Sequence, residues 1–303
     1  MQLSDIFIYT LKELNGFDEE AVEKAIILAQ NDIVESVEEL VDFINFSIEE
    51  KKFPGITQPY DEKIIKKAVD IAKKKEGKIV HHILVAGSEY PQKLKQAHIG
   101  VLAPLAYKGN LINIERKTIM ITGSDSVTNN AKLASKYFGK LFASKGYNII
   151  TSFSPGCEQC SILGCVEASG FSTFFLPHSI EHLTAKQKKV IQSELEAGRA
   201  TVISVSDSPK ATKETIDESY RYLSALADCL IIPQISINDS VMDLAQIYFD
   251  SNKPVFLIQY KTGSSIEYDC EYIFEVRGSK YLSSDTALKQ VVDAIGTAHP
   301  DAD

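Results

Sequence analysis

From about residue 78 to the C-terminus, short apolar runs alternate with longer amphipathic stretches. The runs predict strands at 79–85, 119–122, 147–151, 172–176, 201–205, 229–233, 255–259 and 272–276. The stretches predict helices at 128–144, 184–197, 216–227, 241–249 and 286–295. Strands that alternate with helices of about ten residues or more are joined by right-handed crossovers and form a mostly parallel sheet. The sequence therefore predicts an α/β fold.

The first 76 residues have helical periodicity and no strand signal. Asn15-Gly16 is a good stop for a first helix. Asp18 and Ser36 can cap the next two helices, the latter within a Ser-Val-Glu-Glu capping box, and a fourth helix is predicted over 61–75. We therefore expect a small helical domain at 1–76 and the α/β domain at 77–303.

Charge limits the kind of partner that the chain can bind. The net charge is -9, with 41 acidic and 32 basic side chains, so the broad positive field of a non-specific nucleic-acid binder is absent. Any DNA site must therefore be a local patch. The N-terminus does not resemble a signal peptide, no apolar run approaches the length of a membrane span, and five cysteines fit reduced thiols, which predicts a cytoplasmic protein.

The segment from 119 to 128 predicts a buried strand, a Gly-Ser turn and the start of a helix. Free amides at a helix N-terminus favour an anion, Gly123 would let a ligand approach the backbone, and Ser124, Ser126 and Thr128 add hydroxyl groups. Two interpretations stay open, a phosphate site and a structural turn with Thr128 as an N-cap. The full G-x-G-x-x-G fingerprint is absent, so NAD binding is not expected and no cofactor is predicted.

Six segments, in order, resemble motifs of the DprA/Smf (DNA-processing protein A) family. They are 90–94 (YPQKL against Y-P-x-x-L), 105–110 (LAYKGN against L-Y-x-K-G-N), 123–124 (GS against G-S-R), 151–158 (TSFSPGCE against S-G-x-A-x-G-I-D), 221–228 (RYLSALAD against the second half of R-N-R-I-I-A-x-L-S/A-D) and 252–257 (NKPVFL against G-R-P-V-F-A-V-P). The order and spacing of these motifs carry the resemblance.

The resemblance implies an extended Rossmann-like domain behind a small helical domain of the SAM or helix-hairpin-helix type. Many members of the family add a C-terminal winged-helix-like domain, and because the stretch 286–303 is short we expect none here. It implies a non-catalytic homodimer that binds single-stranded DNA during DNA uptake and natural transformation and helps to load the recombinase RecA. The phosphate-binding positions that follow are Gly123, Ser124, Ser126, Thr128, Gly156, Arg221 and Lys210. No metal is expected.

Several departures from the family pattern affect charge. The family's Arg after Gly-Ser is Asp125 here, and the first Arg of R-N-R is Ser219, which leaves Arg221. A unit charge 4 Å from a phosphate contributes about 1 kcal/mol in water and about 4 kcal/mol at an effective dielectric constant of 20. We therefore expect weak, salt-sensitive DNA binding. A nucleotide-sensing module and a degenerate scaffold that keeps only protein contacts remain alternatives.

Other chemistry finds little support in the sequence. Cys157 and Cys160, with Cys165 nearby, suggest a metal or redox site, but a structural zinc site needs four ligands, so core packing is the simpler interpretation. His178 and His182 have no obvious third ligand. There is no G-x-S-x-G or Walker motif, and the segment 233–240 lacks the glycines of the phosphoribohydrolase loop P-G-G-x-G-T-x-x-E. We therefore expect a binding protein and not an enzyme.

Overall fold

A computed structural model gives the structure of the chain. It describes residues 3–29, 36–53, 55–74, 80–83, 85, 90–97, 99–100, 102–124, 126–236, 239–260 and 274–297. The chain divides into two compact units, unit 1 with Met1–Tyr90 and Leu102–Lys108, and unit 2 with Pro91–Val101 and Gly109–Asp303. The domain boundary expected at 76/77 stays a prediction, and Asp125 lies outside the described residues.

Unit 1 begins with four helices, α1 (Leu3–Glu13), α2 (Glu19–Ala29), α3 (Val37–Glu49) and α4 (Glu62–Lys74). Their apolar faces form one core. Ser36 caps α3 by accepting a hydrogen bond from the amide of Glu39, as the capping box predicts. Strand β1 (His81–Ile83) pairs antiparallel with β2 (Leu105–Gly109). Strand β2 was not predicted, because its five residues lack a clear apolar alternation.

Unit 2 contains seven parallel strands. They are β3 (Thr118–Ile121), β4 (Asn148–Thr151), β5 (Ser172–Phe175), β6 (Ala200–Ser204), β7 (Cys229–Ile232), β8 (Val255–Ile258) and β9 (Lys280–Leu282). Their order in the sheet is β6-β5-β4-β3-β7-β8-β9. The prediction of an α/β fold with a mostly parallel sheet is confirmed. The strand order reverses between β3 and β7, and ligands bind at such reversals, outside the carboxyl ends of the strands.

The helices of unit 2 begin with two that precede β3 and continue with helices that follow its strands. They are α5 (Gln92–Gln96), α6 (Ile112–Glu115), α7 (Asn129–Ala143), α8 (Cys157–Glu167), α9 (Ala185–Glu196), α10 (Lys213–Leu226), α11 (Ser240–Asp250) and α12 (Ala287–Ile295), with a 3-10 turn at Ile180–His182. Within the described residues, no helix combines the length and apolar content needed to cross a membrane.

Helix α8, which packs closely along α7, was not predicted from the sequence. A Cβ atom at Gly164 would overlap the carbonyl oxygen of Lys136, and one at Gly139 would overlap that of Ser161. Glycine is therefore required on both helices at this crossing. Buried residues lie on several sides of α8, so it has no amphipathic pattern to reveal it.

The strand predicted at 272–276 is wrong for residues 274–276, the part of this range that the structure describes. Residues 274–276 are helical, and the strand of this region is β9. Phe274 is buried against Phe249, whereas Val276 is 67% exposed, so the apolar pair does not lie on one buried face. The helical turn ends at Gly278, whose φ of 86° suits glycine.

Candidate nucleic-acid interface

The candidate site lies at the carboxyl edge of the sheet in unit 2. The turn after β3 begins at Thr122, the turn after β4 runs through Gly156, and the segment after β7 includes Gln234. Because the strands are parallel, helices α7, α8 and α9, which follow β3, β4 and β5, begin at this same edge. Each of these helices directs its positive dipole end toward the edge.

The turn after β3 is closed by the segment after β7. The amide of Ser124 donates to the carbonyl oxygen of Gln234 at 3.0 Å. The amide and the hydroxyl of Thr128 both donate to Oε1 of Gln234, at 2.8 and 3.0 Å. The hydroxyl of Ser124 donates to the carboxylate of Asp239. The donors that the sequence analysis assigned to a phosphate at Ser124 and Thr128 are thus engaged within the protein.

Gly123 is needed for packing. A Cβ atom there would lie 2.5 Å from the carbonyl oxygen of Gln234 and 2.9 Å from Sγ of Cys157. The space beside Gly123 that was expected to admit a ligand is therefore occupied by the loop after β7 and by the first residue of α8. Thr128 also caps α7, accepting a hydrogen bond from the amide of Ala131, as the structural-turn interpretation proposed.

The turn after β4 is organised by a buried carboxylate. Glu158 is 3% exposed. Its oxygens accept hydrogen bonds from the hydroxyls of Thr122, Thr151 and Ser152 and from the amides of Ser152 and Ser154. Gly156 immediately precedes α8, and its φ of 87° explains the glycine. Glu158 thereby ties the turn after β4 to the end of β3.

The remaining predicted residues lie apart from this turn. Arg221 is exposed on α10, and Lys210 is exposed in the loop before it. In the described part of the chain, no hydrogen bond or ion pair joins either side chain to the turn after β3. Ser126 is exposed, and its carbonyl oxygen accepts a hydrogen bond from Gln234. Ser219 is buried, and its hydroxyl donates to the carbonyl of Ile216.

Two lysines at this edge were not predicted from the sequence as site residues. Lys132 lies in the first turn of α7 and Lys186 in the first turn of α9, and both are exposed. The ammonium of Lys186 donates to the side-chain oxygen of Gln159, which lies in the first turn of α8. The positive charges of both lysines act to lower the pKa of the Cys160 thiol. The helix starts, combined with the parallel strand order, would have pointed to these residues.

The cysteines of this region are packed thiols. Burial raises the pKa of Cys157 to about 11 and that of Cys165 to about 12, so both are protonated at neutral pH. Burial also raises the pKa of the half-buried Cys160. Within the described residues, no group of three His, Cys, Asp or Glu side chains could hold a metal ion.

Comparison with known proteins assigns the family. The family model of DNA recombination-mediator protein A matches residues 81–291. The chain belongs to this family. Protein Smf of Borreliella burgdorferi is 21% identical over 208 residues, which are 68% of this chain and 65% of that protein. The alignment thus spans just under two thirds of the length of this relative.

Two solved structures of DNA processing protein A (DprA) have a similar fold. DprA from Streptococcus pneumoniae superposes with a TM-score of 0.63 at 15% identity, covering 96% of this chain and 98% of that one. DprA from Helicobacter pylori, described with a single-stranded DNA binding mode, gives a TM-score of 0.59 at 17% identity, covering 67% and 93%. The expected DprA/Smf membership and Rossmann-like fold are confirmed.

Proposed function

We propose that this DprA/Smf protein binds single-stranded DNA along the carboxyl edge of its parallel sheet. The family membership supports a role in DNA processing. The observation that carries the proposal is the common start of α7, α8 and α9 at this edge, with Lys132 and Lys186 in two of the first turns. Helix N-termini attract phosphates, and two nearby cations supply the local positive charge that an acidic chain otherwise lacks.

In this proposal the predicted residues divide into two groups. Ser126 and Gly156 face the phosphates together with the two lysines, and Lys210 and Arg221 extend the path as outlying cations. Gly123, Ser124 and Thr128 hold the turn after β3 in shape, because their donors and the space beside them are occupied. The binding surface therefore lies above the turn and not within it.

Fluorescence anisotropy with a labelled oligothymidylate at two salt concentrations tests this proposal. Each phosphate contact contributes about 0.7 to the salt slope for single strands. We expect Lys132→Ala and Lys186→Ala each to weaken binding and to lower the slope by about that amount. Lys289→Ala, at an exposed position on α12, is the matched control. Unchanged affinity and slope in both test variants would refute the proposed site.

The biological role that we propose is non-catalytic. The protein, as a cytoplasmic homodimer, would hold incoming single strands during natural transformation and help to load RecA onto them. Family membership supports this role. Light scattering measures the oligomeric state, and stimulation of RecA-dependent strand exchange measures loading. A monomeric protein that leaves strand exchange unchanged would contradict these parts of the proposal.

One observation favours the alternative of a scaffold that keeps only protein contacts. Gln234 and Asp239 close the turn after β3, where a phosphate-binding protein would leave donors free. A chain that forms its dimer but binds neither oligonucleotides nor nucleotides would support this alternative. The lysines at the starts of α7 and α9 are the reason for preferring the DNA-binding role.

A further inference from the structure

A cavity of about 640 Å³ lies beside α7 in unit 2, at the carboxyl ends of β8 and β9. Cavities that hold small organic ligands typically measure about 300 to 1,000 Å³. Neither Gln234 nor Cys157, which pack against Gly123, is among the described residues that line it. The proposed phosphate contacts leave the cavity unused. Its lining contains both apolar and hydrogen-bonding groups, so a matching ligand has an apolar face and a polar edge.

Two side chains of α7 form an exposed apolar wall. Leu133 is 66% exposed and Tyr137 is 47% exposed, and both line the cavity. Tyr260 lines it as well, and its hydroxyl donates to the carbonyl oxygen of Pro233 at 3.0 Å, which fixes that ring. Aromatic surfaces of this kind stack on nucleobases, and such stacking tolerates any base because every base has a π-face.

The polar part of the lining carries no positive charge. Asp285 contributes a carboxylate, which accepts a hydrogen bond from the hydroxyl of Ser284 at 3.0 Å. Asn130 and Gln259 contribute carboxamides. Among the described residues that line the cavity there is no Lys or Arg, so the chemistry disfavours a phosphate and favours a neutral ring with hydrogen-bond donors on its edge.

The cavity shares one residue with the proposed DNA path. Asn130 belongs both to the cavity wall and to the first turn of α7, where the amides point toward the edge of the sheet. A strand whose phosphates follow the starts of α7, α8 and α9 would thus pass the mouth of the cavity. A base turned out from that strand could enter it while its phosphate stays at the helix start.

We propose that this cavity is a base-binding subsite and that it prefers guanine. This inference rests on the proposed DNA-binding function. The ring N–H and the exocyclic amine of guanine present two adjacent donors that a carboxylate such as Asp285 can accept together. Thymine and cytosine do not present this pair, and adenine has no ring N–H on that edge. Tyr137 and Leu133 would cover the face of the base.

The test uses the full chain and oligothymidylates of equal length that carry one central guanine, one central adenine or none. We expect the guanine-containing strand to bind about tenfold more tightly than the other two. Asp285→Asn should remove this preference while leaving the affinity for oligothymidylate unchanged. Tyr137→Ala should weaken binding of all three strands by about tenfold, since stacking does not depend on the base.

Matched control variants test whether a substitution acts through the cavity or through a general loss of folding. Asp293→Asn, on the exposed surface of α12, should keep the guanine preference, and Phe46→Ala removes an exposed aromatic ring of unit 1 without touching the cavity. Circular dichroism melting curves of every variant confirm folding. Equal affinity for the three strands, or a preference that persists in Asp285→Asn, overturns the subsite.

The subsite and the proposed function can fail separately. Binding that depends on Lys132 and Lys186 but not on base identity or Tyr137 overturns the subsite and keeps the DNA-binding function. If no strand binds, yet deoxyguanosine raises the melting temperature of the parent and not of Asp285→Asn, the subsite stands and the DNA-binding function falls. Absence of both effects overturns both.

Discussion

Oε1 of Gln234 lies 2.8 Å from the amide nitrogen of Thr128 and 3.0 Å from its hydroxyl oxygen. One carboxamide oxygen thus accepts both donors at the start of α7, which a phosphate oxygen would otherwise use. The turn after β3 is held in the shape of an anion site while its own chain fills part of it. The turn can therefore have the geometry of an anion site although its donors at Thr128 are not free to bind DNA.

Replacing Gln234 with alanine should tighten oligonucleotide binding. The substitution frees the amide and hydroxyl of Thr128 for a phosphate, and one hydrogen bond is worth about 1 kcal/mol, or roughly fivefold in affinity. Anisotropy with oligothymidylate measures the change. Gln192→Ala, which removes an exposed glutamine of α9, is the control. If Gln234→Ala binds as the parent does, Thr128 makes no contact with DNA.

Replacing Glu158 with glutamine should destabilise the protein. Five donors converge on this buried carboxylate, and hydrogen bonds to a charged group are worth about 1.5 to 3 kcal/mol. We expect urea denaturation to show a loss of about 2 kcal/mol in the free energy of unfolding. Glu196→Gln, at an exposed position of α9, should leave stability within about 0.5 kcal/mol of the parent. Equal stability of Glu158→Gln and the parent would show that the negative charge of Glu158 contributes nothing to stability.

Replacing Gly164 with alanine tests the crossing of α7 and α8. At an exposed helical position this substitution would stabilise by about 1 kcal/mol. Here the new methyl group overlaps the carbonyl of Lys136, so we expect destabilisation of about 1 to 3 kcal/mol. Leu163→Ala, on the exposed side of the same helix, should change stability little. A more stable Gly164→Ala would contradict the close crossing.

Stability should fall as the pH drops below about 6.5, in part because of His82. Burial, followed by the charges of Lys12 and His81, lowers the pKa of His82 to about 3. The unfolded chain binds this proton near pH 6.5, whereas the folded protein binds it only near pH 3. The contribution of neutral His82 to the free energy of unfolding is therefore fully present above pH 6.5 and is lost as the pH falls toward 3. At about 1.4 kcal/mol per pH unit, the free energy of unfolding falls by roughly 3 kcal/mol between pH 6.5 and pH 4.

Urea denaturation from pH 7 to pH 4 measures this loss. His82→Gln should flatten the pH dependence, because no titrating group remains at that position. His182→Gln, which changes an exposed histidine, should leave the profile of the parent unaltered. A profile that is equally steep in the His82 variant would assign the acid sensitivity to other groups.

The sequence by itself determined the architecture and the family. Strand and helix periodicities are local properties, so the α/β alternation, the Ser36 cap and the start of α7 follow from neighbouring residues. The order of six short motifs was enough to identify the family. The strand predicted at 272–276 failed because two apolar residues in a short segment do not distinguish a strand from a helical turn.

Only the tertiary structure decided what surrounds Gly123. The partner of Thr128 lies 106 positions along the chain, and it arrives there because β7 returns to the side of β3 in the sheet. No local pattern encodes which loop will reach a given turn. The same strand order gathers Lys132, Gln159 and Lys186 at one edge, since parallel strands place successive helix starts together. The candidate site therefore depends on the order of the strands in the sheet. That order cannot be read from the spacing of residues along the sequence.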